Sequence, residues 1–172
     1  LGLAIVNDDM PFLVDSVSAA ITSAGLAIDR LLHPIVTVRR DDRGQLHSIV
    51  ASDANAPAAG ETRESLIYIE LERVSAKARL ALVETLQGVL ADVRVAVADW
   101  ADMLTALKTA TRALTENPPP VAPHAAAEAT AFLEWLAADN FTLLGVSRTD
   151  LASGAVEGLG LLRNPKFAVW GD

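Results

Sequence analysis

The residues best suited to chemistry stand close together near the amino terminus, in the stretch NDDMPFLVDSV at positions 7–17. Asp8, Asp9 and Asp15 offer the carboxylate oxygens that a hard divalent cation requires. Acids at the start of a helix also complement its dipole and cap its free N–H groups. Asp15 falls about two turns into the helix that this stretch begins, where it would point to solvent. A capping and dipole role is therefore the expectation for the acids, ahead of metal binding. Ser16 and Ser18 follow Asp15 but lie in no Gly-x-Ser-x-Gly elbow, so no nucleophile is marked. His33, His47 and His124 fall on two strand-like segments and a linker, without the spacing of a His-Glu-x-x-His site. In EGLGLLR, Gly158 and Gly160 begin a glycine pattern that fails at Arg163, and no helix-like segment follows. A Gly-x-x-x-x-Gly-Lys loop is also missing. No catalytic residue, metal site or cofactor site is read from these residues, and no cofactor is expected in this segment.

The elements that would position the acids come next. LGLAIV (1–6) reads as a short buried strand. Pro11 suits the first helical turn, where its missing N–H costs nothing. Leu13, Val17, Ala20, Ile21 and Ala24 follow at helical spacing, and Gly25 is a natural stop. Residues 27–40 are strand-like, with Pro34 indicating an edge or a bulge. The turn DDRG (41–44) leads to a hairpin partner at 46–52, and DANAPAAGETR (53–63) reads as a mobile loop. In the strand 65–73, Ile67, Ile69 and Leu71 share one face, with Leu66 and Tyr68 on the other.

From Ala76 a helical stripe passes through Leu82, Leu86, Val89, Val93, Ala96, Trp100, Leu104, Leu107 and Leu114. It predicts one continuous helix about 60 Å long. Alternating Val93, Val95 and Val97 leave a strand over 92–99 as the competing reading. NPPPVAP (117–123) is stiff and helix-breaking. Beyond it, 125–140 reads as a helix with Ala129, Phe132, Leu133 and Leu136 inward. Two strands around DLASG complete the chain. The expected organisation is a domain over 1–116 that includes the long helix, a linker at 117–123, and the beginning of a second α+β unit at 124–172. The fold class is α+β, an antiparallel sheet with helices on one face.

Composition limits the partners. The chain has 172 residues, with 14 basic against 22 acidic side chains and a net charge of -8. Such a surface repels phosphate backbones, so nucleic acid is not an expected partner. Mean hydropathy is +0.31, yet charged residues interrupt every long apolar stretch, so a membrane is not expected either. Cysteine is absent, which suits a reducing compartment, and a cytoplasmic location is the expectation. The apolar start and the end at KFAVWGD are read as marking a piece of a longer polypeptide.

NDDMPFLVDSV, HPIV (33–36), ESLIYIELER (64–73), ADVRVAVADW (91–100), AFLEWLAADNFTLLG (131–145) and GLGLLR (158–163) occur in that order. Together they resemble the large NAD-specific glutamate dehydrogenase of bacteria over nearly the whole chain. The matching region of that family is amino-terminal and non-catalytic and contains ACT-like domains, with a ferredoxin-like antiparallel sheet. The resemblance implies a parent enzyme that deaminates glutamate oxidatively to 2-oxoglutarate and ammonia with NAD, the hydride transfer occurring elsewhere in the polypeptide. It implies other domains of the same polypeptide as partners, a homo-oligomeric parent, and an amino acid as a candidate effector. ACT domains often bind amino acids at the turn between the first strand and first helix. The matching positions are Asn7, Asp8, Asp9, Met10, Pro11 and Phe12. There, helix N–H groups would receive a carboxylate, and Asp8 or Asp9 would pair with an ammonium. The glycine usual after the proline is Phe12 here, which is expected to plug the position a ligand would take. A regulatory or assembly segment is thus the leading function, with an amino-acid sensor and a helical adaptor as alternatives.

Overall fold

A computed structural model describes residues 1–50 and 57–167. Two compact units are present, Leu1–Val93 and Arg94–Asp172. The first contains β1 (Gly2–Asp8), α1 (Leu13–Ser23), β2 (Ile28–Leu32), β3 (Ile35–Arg40), β4 (Leu46–Val50) and β5 (Thr62–Leu71). It also contains most of α2 (Ala76–Ala98), within which the boundary between units falls. All strand pairings are antiparallel, in the order β1-β5-β3-β4, with β2 also on β5. The unit is α+β, as its strand and helix patterns predict.

Alternation on β5 organises the core. Ile67, Ile69 and Leu71 are buried, as are Leu13, Val17 and Ile21 of α1 and Leu82 and Leu86 of α2. The helices cover this one sheet face, where each buried aliphatic side chain contributes about 1.5 to 3 kcal/mol. Val6, Leu32 and Tyr68 lie on the opposite face and remain exposed.

Pro34 produces no bulge, while β2, which leads into it, pairs with β5 alone among the described residues and so lies at an edge, as expected. Leu32 pairs with Tyr68 and Ile35 with Ser65, so β2 and β3 keep one register across His33 and Pro34. The Pro34 carbonyl accepts the Leu66 N–H at 2.9 Å; only the reciprocal bond, for which proline has no donor, is lost. The irregularity lies instead between Ile28 and Arg30. The turn after β3 forms as its residues require. Asp41 Oδ1 accepts the N–H groups of Arg43 and Gln45, and Gly44 takes φ 76°. Of the loop expected at 53–63, residues 53–56 lie outside the described residues, as do 51–52 of the strand expected at 46–52. Thr62 and Arg63 already belong to β5.

The second unit contains α3 (Trp100–Glu116), α4 (Pro123–Trp135), a wide turn at Leu136–Asn140, and the hairpin β6 (Gly145–Thr149) and β7 (Val156–Gly160). Short 3-10 turns follow at Leu161–Arg163 and Pro165–Phe167. Residues 92–98 are helical, so the strand alternative fails, but the long helix is interrupted at Asp99 (φ -92°, ψ 1°). The buried line moves there: Val93 and Ala96 are followed by Asp99 and Met103, while Trp100 is 44% exposed. The proline-rich stretch joins α3 to α4 inside this unit, with Pro123 beginning α4.

The expected inward line of α4 also shifts. Ala129 is exposed and Phe132 is 57% exposed, stacked on Trp135 at 6.2 Å, whereas Ala126, Thr130 and Leu133 are the more covered positions. An alanine-rich helix has few large side chains to distinguish one stripe from another. It also ends earlier than its pattern suggests, because Ala138 and Asp139 leave the helical region. Among the described residues, no helix is long and apolar enough to cross a membrane.

Candidate functional site

The acidic stretch is built differently from the cap that its sequence suggests. Asn7 and Asp8 still belong to β1, opposite Ser65 and Glu64 of β5. The Asn7 side-chain amide donates to the Asp8 carbonyl at 2.9 Å. Asp9 prolongs the ladder, its N–H donating to the Arg63 carbonyl at 2.9 Å. Its side chain turns to β5 rather than to α1. Asp9 Oδ1 accepts the Ser65 hydroxyl at 2.8 Å, and Oδ2 lies 3.3 Å from Arg63 Nη2. Ser65 is fully buried, so this bond satisfies a hydroxyl that has lost water. Asp9 is a clip between two strands, and the expected helix cap is absent.

Met10 is half-buried and Pro11 exposed, both ahead of the helix rather than in its first turn. Phe12 occupies the N-cap position with φ 71° and ψ -3°, and no side chain caps α1. This left-handed conformation suits glycine and disfavours a residue with a β-carbon by about 1 to 2 kcal/mol. Phe12 is 42% exposed, so it does not fill an internal space as a plug would. Asp15 is exposed in the first turn and complements the helix dipole there.

Nearby charges are arranged in pairs. Arg40 holds Glu64 through Nη2 at 2.7 Å and through Nε at 2.5 Å, while donating to the Gly44 carbonyl. The Glu64 bond, with further help from the charge of Asp8, raises the Arg40 pKa. The Ala58 N–H and then Arg39 lower the Glu61 pKa. Among the described residues, no group of three or more His, Cys, Asp or Glu side chains could hold a metal ion. His33 lies between β2 and β3 with a buried, unpartnered Nε2, and neither His47 nor His124 is brought to it as part of such a group.

In the second unit, a site that sequence reasoning missed surrounds Asp99. Its carboxylate receives the Gly160 N–H at 2.8 Å and both Nε and Nη2 of Arg163, the latter at 2.7 Å. Arg163 first, and then the Gly160 N–H, hold the Asp99 carboxyl below its usual range. Gly160 adopts φ 60° and ψ -139°; a Cβ there would meet the Leu144 carbonyl oxygen at 2.4 Å and Met103 Sδ at 2.8 Å. At Gly158 a Cβ would meet the Leu162 carbonyl oxygen at 2.0 Å. The two glycines thus admit the chain's own backbone and side chains, where a dinucleotide loop would admit a pyrophosphate. Asp99 falls beside the predicted helical stripe and not on it, so neither it nor its partners carried a sequence signal. The open groove beside α3, about 490 Å³, is lined by Lys108 and Arg112 but also by Glu116 and Glu134.

An antiparallel sheet covered on one face by α1 and α2, with a strand-to-helix turn at the acidic stretch, defines the first unit as an ACT-like domain. Residues 3–86, nearly all of this unit, match the family model described as "Glutamate dehydrogenase, ACT1 domain". Two curated relatives extend the similarity. The NAD-specific glutamate dehydrogenase of Halomonas elongata is 39% identical over 146 residues, which is 83% of this chain and 9% of that protein. That of Pseudomonas aeruginosa is 32% identical over 152 residues, covering 88% of this chain and 9% of the relative. The chain therefore spans a small fraction of the length of these relatives.

Proposed function

We propose that the chain is a non-catalytic assembly segment of a large NAD-dependent glutamate dehydrogenase, a cytoplasmic homo-oligomer in which other domains of the polypeptide bind NAD and oxidise glutamate. The observation that carries the assembly role is the state of the β1-to-α1 turn. Asp9, a candidate partner for an amino-acid ammonium, is already engaged by Ser65 and Arg63. Asp15 already complements the start of α1, where an arriving carboxylate would meet like charge. The test removes residues 1–93 from the full-length enzyme and measures its mass in solution. Loss of the native oligomer is expected; an unchanged oligomer would overturn the assembly role.

A second reading, an amino-acid sensor, is favoured by the lack of a side-chain cap on α1, which leaves the first-turn N–H groups of Leu13, Val14 and Asp15 to meet a carboxylate arriving at the Asn7–Phe12 turn. Thermal melts with an amino-acid panel separate the two. Preferential binding to the folded state would produce a saturable rise in melting temperature that weakens on Asp8→Asn and Asp9→Asn substitution. The assembly reading expects no such rise.

A further inference from the structure

The hydrogen bonds at both ends of β1 define the direction of its backbone groups. Asp9 N–H donates to Arg63, and Leu71 N–H donates to the Leu1 carbonyl, so odd-numbered residues of β1 exchange bonds with β5. Antiparallel ladders alternate, and Gly2, Ala4 and Val6 therefore aim their N–H and C=O groups away from β5. β1 ends the sheet on that side among the described residues. Protected edges are short, bulged, or marked by proline or lysine. GLAIVND has seven residues, an unbroken register and neither proline nor lysine. The opposite edge strand, β4, has five residues and pairs across a register shift at Arg39/Arg40.

An apolar surface adjoins the open edge. Val6 is 57% exposed, Leu32 52% and Tyr68 39%, all on the helix-free face. The Tyr68 ring lies along β1, since a Cβ on Gly2 would stand 3.3 Å from its Oη and 3.6 Å from Cε2. This preformed aromatic platform is of the kind enriched at the centre of interfaces.

We infer that a β-strand from a segment of the same polypeptide outside these 172 residues pairs with β1 and covers Val6, Tyr68 and Leu32. The inference rests on reading the chain as a segment of a long enzyme, for which its 9% share of the relatives' length is the support. Covalent linkage favours such a strand over a free partner by raising its effective concentration. The incoming strand would present apolar side chains at alternate positions to the platform.

The experiment places the photo-crosslinker p-benzoylphenylalanine at position 6 of the full-length enzyme, in oligomers mixed from isotopically light and heavy subunits. Crosslinks from position 6 to a peptide outside residues 1–172 are expected, joining light to light and heavy to heavy only. Slow amide exchange at Ala4 and Val6 is expected in the unsubstituted enzyme, a measurement that needs no variant to fold. Light-to-heavy crosslinks, crosslinks confined to residues 1–172, or rapid exchange at Ala4 and Val6 would each overturn the inference. The mass of the enzyme lacking residues 1–93 reports separately on the assembly role. An unchanged number of subunits alongside a light-to-light crosslink would overturn that role and support the strand.

Discussion

Phe12 combines an unfavourable backbone conformation with a side chain that is only partly covered. Replacing it with glycine removes the left-handed penalty but loses some apolar burial and makes the unfolded chain more flexible. Phe12→Gly should therefore change stability by no more than about 1 kcal/mol, measured by denaturant unfolding followed through the sheet's circular dichroism. A loss of about 3 kcal/mol or more, the range for emptying a packed aromatic site, would restore Phe12 as a plug. Asp9 is bound differently, through its partner on β5. Asp9→Ala should cost about 1 to 3 kcal/mol because the buried Ser65 hydroxyl loses its acceptor. In a double-mutant cycle, adding Ser65→Ala should recover part of that loss. Additive effects would show that the two side chains do not act together.

At the scale of elements, Asp99 connects the start of α3 to β7 and its following turn through Gly160 and Arg163. Gly160→Ala would force a β-carbon against Leu144 and Met103 in a conformation reserved for glycine. Its cost should be roughly 2 to 6 kcal/mol, the sum of backbone strain and overpacking. The three tryptophans, at positions 100, 135 and 170, all follow the first unit in sequence, so tryptophan fluorescence reads this loss without a tryptophan of the first unit contributing. A change below about 1 kcal/mol would mean that Leu144 and Met103 yield easily.

The acid dependence of the same clamp has a definite sign. The folded state lowers the Asp99 pKa, so its stabilisation is complete above the ordinary carboxylate value of about 3.9 and disappears as pH falls through the lowered one. Fluorescence melts should show Asp99→Asn less stable than wild type at pH 7, with a shallower decline as the solution is acidified below about pH 4. Parallel declines would assign the acid sensitivity to other groups, among them Asp150, whose carboxyl is held low by the N–H and hydroxyl of Ser153.

Over the whole molecule, the first unit supplies a sheet with one covered and one open face, and the second supplies a hairpin held to a helix by an ion pair. Neither the acidic turn nor the Asp99 clamp leaves a reactive group with a base and a substrate position beside it. The purified chain should accordingly produce no NADH from glutamate and NAD above a heat-inactivated control. Glutamate-dependent absorbance growth at 340 nm that follows protein concentration would overturn this expectation.

Local chemistry was legible without the fold. Asp41 and Gly44 make their turn through neighbours within four residues, and Asp150 receives the N–H groups of Ala152 and Ser153 before Gly154 turns the chain. Alternation in β5 likewise separates Ile67, Ile69 and Leu71 from Tyr68, because strand geometry sends successive side chains to opposite faces. The α+β class followed from such patterns, while the ACT-like fold was implied by the resemblance of the quoted stretches to the glutamate dehydrogenase family. Only tertiary structure could turn Asp9 from a helix cap into a strand clip, since its partner Ser65 is 56 positions away. Only tertiary structure could move the buried line to Asp99 and Met103, since Arg163 lies 64 positions beyond Asp99. A side chain's own neighbours determine the turns it can make, whereas the direction in which a polar group points depends on which distant partner can replace water.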